Sequence, residues 1–180
     1  MKPCDVKSLR GVFTGEYGTY EAGKGYDELL FEYLGSDLTR GWKVIHADFW
    51  LLDPATGIAD QTVTLRVKLQ TDVILGTTPT AYDMPVTGFN PNDNREFAWY
   101  TRNYENMGCK ILADNFVQCI IDPDHVITKQ LYASSVSYEC TEGEGSRYDI
   151  GYCIVVQEIK TTPSQNILQT VKGIGQNITN

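Results

Sequence analysis

The chain has 180 residues, of which 42% are hydrophobic and 21% charged, and its formal net charge is −8. That length makes one ordinary domain, able to bury roughly 70% of its unfolded surface, and the composition excludes wholesale disorder and a coiled coil. Lys and Arg, fifteen in all, are scattered without a basic run, which speaks against direct binding to nucleic acid.

The first residues, "MKPCDVKSLRG", lack the apolar core of a secretory signal, and the longest apolar runs, "FWLL" and "CIVV", are far too short to span a membrane. Synthesis in the cytoplasm without membrane insertion is the expectation. From Gly11 to Tyr26, "GVFTGEYGTYEAGKGY" mixes glycines and tyrosines with neither helical nor sustained strand periodicity. This predicts an extended N-terminal arm over residues 1–25, with Tyr17, Tyr20 and Tyr26 as candidate contacts to a neighbouring subunit. The following "YDELLFEYLG" is ambiguous. Leu29, Leu30, Tyr33 and Leu34 suit a helix ending at Gly35, whereas Leu29, Phe31 and Tyr33 alternate as in a strand.

From Trp42 onward the period is mostly two. In "TVTLRVKLQ", Val63, Leu65, Val67 and Leu69 share one face, and Thr62, Thr64, Arg66, Lys68 and Gln70 share the other, predicting a sheet with one wet side. "RYDIGYCIVV" repeats the pattern, with Tyr148, Ile150, Tyr152, Ile154 and Val156 on one face. Turn-type punctuation ("DPATG", "GTTPTAYDMP", "NPNDN", "DPD", "EGEGS") separates the runs. Short strands without intervening helices predict one all-β domain over residues 26–180, an antiparallel β-sandwich or single jelly roll of about eight strands. The tail changes period: Ser164 can cap a short helix over about residues 164–176, with Ile167, Leu168, Val171 and Ile174 along one side. That side is expected to dock on its own sandwich or on another subunit.

Candidate chemistry is sparse. Asp122, Asp124 and His125 crowd one corner, "DPDHV", where one strand must turn into the next. Pro123 fixes φ there, and Asp122 can accept a bond from the backbone N–H two residues on. A polar corner is thus the expectation, since no further metal ligands stand at recognisable spacing. His46 and Asp48 are two apart on a predicted strand and could pair. Asp53 and Asp60 flank a glycine turn reminiscent of a calcium loop but lack its alternating oxygen ligands. "NIT" at Asn177 matches a glycosylation acceptor, read as chance in a chain without a secretory signal. The five cysteines, Cys4, Cys109, Cys119, Cys140 and Cys153, include no CxxC pair, and an odd count cannot close completely into intrachain disulfides. A reducing compartment follows as the expectation, with Cys119 and Cys153 as core packing residues. The usual catalytic signatures are absent, and neither a metal nor a cofactor is called for.

The stretches "RGWKVIHADFWLLDP", "NREFAWY", "DPDHVITKQLY", "YDIGYCIVVQEIK" and "GIGQNIT" give the chain from Gly41 to Asn177 a pattern that resembles small β-rich virion proteins of tailed or marine bacteriophages. The resemblance implies a jelly roll or similar sandwich acting as a capsid, decoration or head-accessory subunit. It would be located in the virion and partnered by copies of itself and by other virion proteins. A second reading is a carbohydrate-binding module or phage adhesin in which an exposed Trp42, Trp50 or Trp99 stacks on sugars. A third is an enzyme with an unfamiliar site at His46 or His125.

Overall fold

Alternating apolar and polar residues, rich in Val, Ile, Tyr and Phe, suit a pleated, half-buried surface and drive this chain into strands. The computed structural model describes residues 5–16, 23–34, 37, 39–52, 62–72, 82–84, 94–106, 111–138, 147–165, 167–168 and 171. Among these, nine strands form: β1 (Val6–Glu16), β2 (Gly23–Glu32), β3 (Arg40–Leu51), β4 (Thr62–Gln70), β5 (Tyr82–Met84), β6 (Glu96–Asn106), β7 (Ile111–Ile121), β8 (Gln130–Tyr138) and β9 (Arg147–Lys160). They make two antiparallel sheets, ordered β1-β9-β3 and β5-β2-β8-β4-β6-β7. The protein is all-β apart from a short C-terminal helix.

The pairing is nested. The first strand pairs with the last, β2 with β8, and β4 with β6, while β3 touches β7 across the sheets. The chain is laid out as a long antiparallel ribbon folded over on itself, with β5 added beside β2. Inward residues of both sheets interdigitate between them. Phe13, Ala47, Phe49, Ile150 and Ile154 from the smaller sheet meet Leu65, Val67, Leu69, Tyr100, Leu131 and Ala133 from the larger. The Phe49 and Tyr100 rings meet edge to face at 5.2 Å.

The predicted arm is corrected by this architecture. Residues Val6–Glu16 are an edge strand, paired with β9 from Val6↔Gln157 to Glu16↔Arg147, and Phe13 is a core residue only 3% exposed. Periodicity hid the strand because its inward set is Leu9, Gly11 and Phe13, with a glycine where a large side chain would have shown the alternation. Tyr152, the cross-strand partner of Gly11, fills that gap. A Cβ on Gly11 would stand 2.6 Å from the tyrosine hydroxyl.

In the ambiguous "YDELLFEYLG", residues 26–32 belong to β2, with a register shift between Leu29 and Phe31. The irregularity lets Leu30 and Phe31 both pack against the core, which is why neither a pure helix nor a pure strand pattern fitted. Phe31 and Tyr33 then flank Trp42, at 5.2 and 4.6 Å between ring centroids.

The polar face of β4 is not uniformly wet. Lys68 and Gln70 are buried there, the first by an ion pair of 2.6 Å to Glu96 and the second by a 3.0 Å hydrogen bond from its Nε2 to Asp27. The predicted core cysteines are also corrected. Cys119 is exposed on β7, an edge strand, and Cys153 is half-buried on the outward face of β9, its sulfur 3.7 Å from the Ser8 hydroxyl.

The C-terminal helix begins two residues earlier than expected. Thr162, not Ser164, is its cap: the Gln165 N–H donates to Thr162 Oγ1 at 3.3 Å, and the Thr162 N–H donates to Gln165 Oε1 at 3.0 Å. With Pro163 in the first helical position this is a reciprocal capping box.

Candidate functional surfaces

The "DPDHV" corner is held by backbone chemistry. Asp122 Oδ1 accepts the Asp124 N–H at 2.9 Å, the Asp122 N–H donates to the Phe97 carbonyl at 2.7 Å, and Lys43 Nζ donates to the Pro123 carbonyl at 2.7 Å. His125 stacks on Phe97 with centroids 4.4 Å apart and planes 9° from parallel. Its ring is therefore a packing element of this corner. Among the described residues, no three His, Cys, Asp or Glu side chains converge as metal ligands would.

His46 and Asp48 share a face of β3, but Asp48 turns to the other sheet. The Tyr100 hydroxyl lies 2.8 Å from Asp48 Oδ1 and 2.9 Å from the Phe49 carbonyl, with its proton shared between these acceptors. Arg102 Nη1 donates to the Phe49 carbonyl at 2.9 Å and lies 3.6 Å from Asp48. Burial, and then the Asp48 carboxylate, push the Tyr100 phenol well above its ordinary range, so it stays protonated as a donor. Tyr104 completes this seam between the sheets, its hydroxyl accepting the Leu51 N–H at 2.9 Å. Nothing in local spacing announces the cluster, since β3 and β6 are brought together only by the sandwich.

Of the predicted contact residues, Tyr17, Tyr20 and Ile174 and the Tyr26 side chain lie outside the described residues, as do Asp53, Asp60 and Asn177. Ile167, Leu168 and Val171 are 56%, 57% and 58% exposed. These three side chains, among the described residues of the helix, are thus not buried on its own sandwich.

The three tryptophans have different fates. Trp42 is 4% exposed in the core and is removed from the sugar-stacking candidates. Trp50 lies half-buried against Gly151, its partner on β9. Trp99 is half-buried on the outward face of the larger sheet, where its Nε1 donates to Glu96 Oε2 at 3.1 Å. There the registers of β4, β6 and β7 set side chains in rows: Arg66, Thr101 and Gln118 across three strands, Thr64 beside Asn103, and Trp99 beside Ile120. These seven residues line a cleft of about 440 Å³.

No family model, curated protein or solved structure matches the chain.

Two surfaces therefore stand out on physical grounds. The helix offers aliphatic side chains that water solvates poorly. The cleft offers hydroxyls, carboxamides, a guanidinium and an indole, a set that binds by hydrogen bonding and stacking.

Proposed function

We propose that this protein is a virion structural subunit, of capsid, decoration or head-accessory type, that acts by self-assembly on a jelly-roll core. The nested strand order supports the jelly roll, because two Greek keys wound from one folded ribbon give that succession of pairs. Jelly rolls also serve lectins and cupins, so the surface and not the fold carries the role. What carries the assembly reading is the exposure of Ile167, Leu168 and Val171 on a helix whose start is closed by the Thr162–Gln165 capping box. Such an aliphatic side is suited to burial on a second copy. In this reading the partners are further copies and other virion proteins, and catalysis, cofactors, nucleic acid and membrane play no part. The protein is made in the host cytoplasm and works in the virion.

Mass measurement in solution tests the reading. Wild type should be a homo-oligomer, of a size such as a trimer, pentamer or hexamer that closes on a capsid axis. The double variant Ile167→Asp, Val171→Asp should be a folded monomer that melts cooperatively, with a melting temperature that no longer depends on protein concentration. A wild-type chain that stays monomeric at high concentration and does not join particles defeats the proposal.

A further inference from the structure

We propose that the cleft on the outward face of the six-stranded sheet binds an uncharged saccharide, which stacks on Trp99 and is gripped by Arg66, Asn103 and Gln118. A pyranose ring has a flat C–H face and a rim of hydroxyls, each of which donates and accepts. A site for it needs an apolar platform beside groups of mixed hydrogen-bonding character.

Trp99 and its cross-strand neighbour Ile120 supply the platform, and Ile120 is 50% exposed. The indole is held in place before any ligand arrives. Its N–H is taken by Glu96 Oε2, and the other oxygen of that carboxylate is held by Lys68 at 2.6 Å. With the polar edge consumed inside the protein, what the tryptophan can offer a ligand is its apolar surface.

The remaining walls are polar and stand on strands, so their spacing is set by sheet register and not by loop conformation. The Asn103 and Gln118 carboxamides each present a donor and an acceptor, suiting neighbouring hydroxyls of one sugar, and Thr64 and Thr101 add hydroxyls. Among the described residues Asn103 Oδ1 has no hydrogen-bond partner, and it is an acceptor that a ligand O–H would satisfy once the carboxamide turns toward the cleft. The volume, about 440 Å³, falls within the range of small-ligand sites, roughly 300–1,000 Å³.

Charge narrows the class. Of the seven lining residues only Arg66 carries a formal charge, and the chain as a whole carries −8, a balance that favours a neutral ligand over a polyanion. None of the cleft residues belongs to the C-terminal helix, so the site does not depend on that helix.

The test is a printed array of glucan, mannan, galactan and N-acetylhexosamine oligosaccharides probed with the intact protein. The strongest neutral binder is then titrated by calorimetry and tryptophan fluorescence. At least one neutral oligosaccharide should bind. Trp99→Ala should weaken it by about tenfold or more, and Trp99→Phe, which keeps a stacking face, by only about threefold. Thr101→Phe, which fills the cleft without touching the platform, should abolish binding, and Trp50→Ala should leave it unchanged. Melting curves establish that each variant is folded. An array with no neutral signal, a folded Trp99→Ala or Thr101→Phe variant of wild-type affinity, or loss of binding in Trp50→Ala overturns the proposal. The outcome is separable from assembly: a monomer that binds sugar sinks only the shell subunit, and an oligomer that binds none sinks only the cleft.

Discussion

The indole of Trp50 occupies the space above Gly151, its partner on the neighbouring strand, so closely that a Cβ there would stand 2.5 Å from Nε1. The ring covers backbone that a glycine would otherwise leave bare. Gly151→Ala should therefore displace the ring and cost about 1–3 kcal/mol in urea unfolding. In a Trp50→Ala background the same substitution should cost much less. Equal costs in both backgrounds would show that the two residues are not coupled.

The buried Lys68–Glu96 pair makes an asymmetric prediction. Glu96→Ala strands a buried ammonium and should destabilise by about 3–5 kcal/mol, whereas replacing both partners, as Lys68→Met with Glu96→Leu, should cost far less. Denaturation midpoints of the three proteins decide it. A double variant as unstable as the single one would mean that the pair contributes specifically to stability.

Alkaline pH probes the seam at Tyr100. A phenol whose pKa is raised in the folded state holds its proton more tightly there than in the unfolded chain, where it titrates near 10. Its contribution is complete below about pH 10 and is lost as pH climbs toward the raised value, because the unfolded state ionises first. Tyr132 and Tyr152, also raised chiefly by burial, act in the same direction. Melting temperature should thus fall above about pH 10, and Tyr100→Phe should make that fall shallower. An alkaline limb of the same slope in the variant would exclude Tyr100 as its source.

Removing residues 1–16 should unfold the domain, because β1 is a full partner of β9 and Phe13 packs on Phe49 at 6.4 Å. Phe13→Ala alone should cost about 3–5 kcal/mol. Circular dichroism of the truncated chain is the check. Native β signal with a wild-type melting temperature would restore the idea of a dispensable arm.

Features that depend on neighbours in the chain were legible beforehand. Leu65, Val67 and Leu69 point inward as their alternation requires, and Asp122 makes its local turn bond. Features that depend on distant partners were not. Lys68 reads as solvated until β6 sets Glu96 against it, and Asp48 reads as a partner for His46 until Tyr100 arrives from the opposite sheet. Cys119 has the parity of a core residue but sits on an edge strand, where parity alone does not produce burial. Thr162 is the cap because the reciprocal glutamine three residues on, not the nearest serine, marks the helix start. The cleft was visible only as three scattered polar strands with one tryptophan.

The central place of β9 in the smaller sheet also sets an order of events in time. Among the described residues β1 and β3 have no ladder partner in that sheet other than β9, so neither can complete its hydrogen bonding until residues 147–160 have been made. During synthesis the earlier strands must wait with their inner faces uncovered, exposed to association with other chains. Closure of the sandwich is a late, long-range step, and such steps fold slowly.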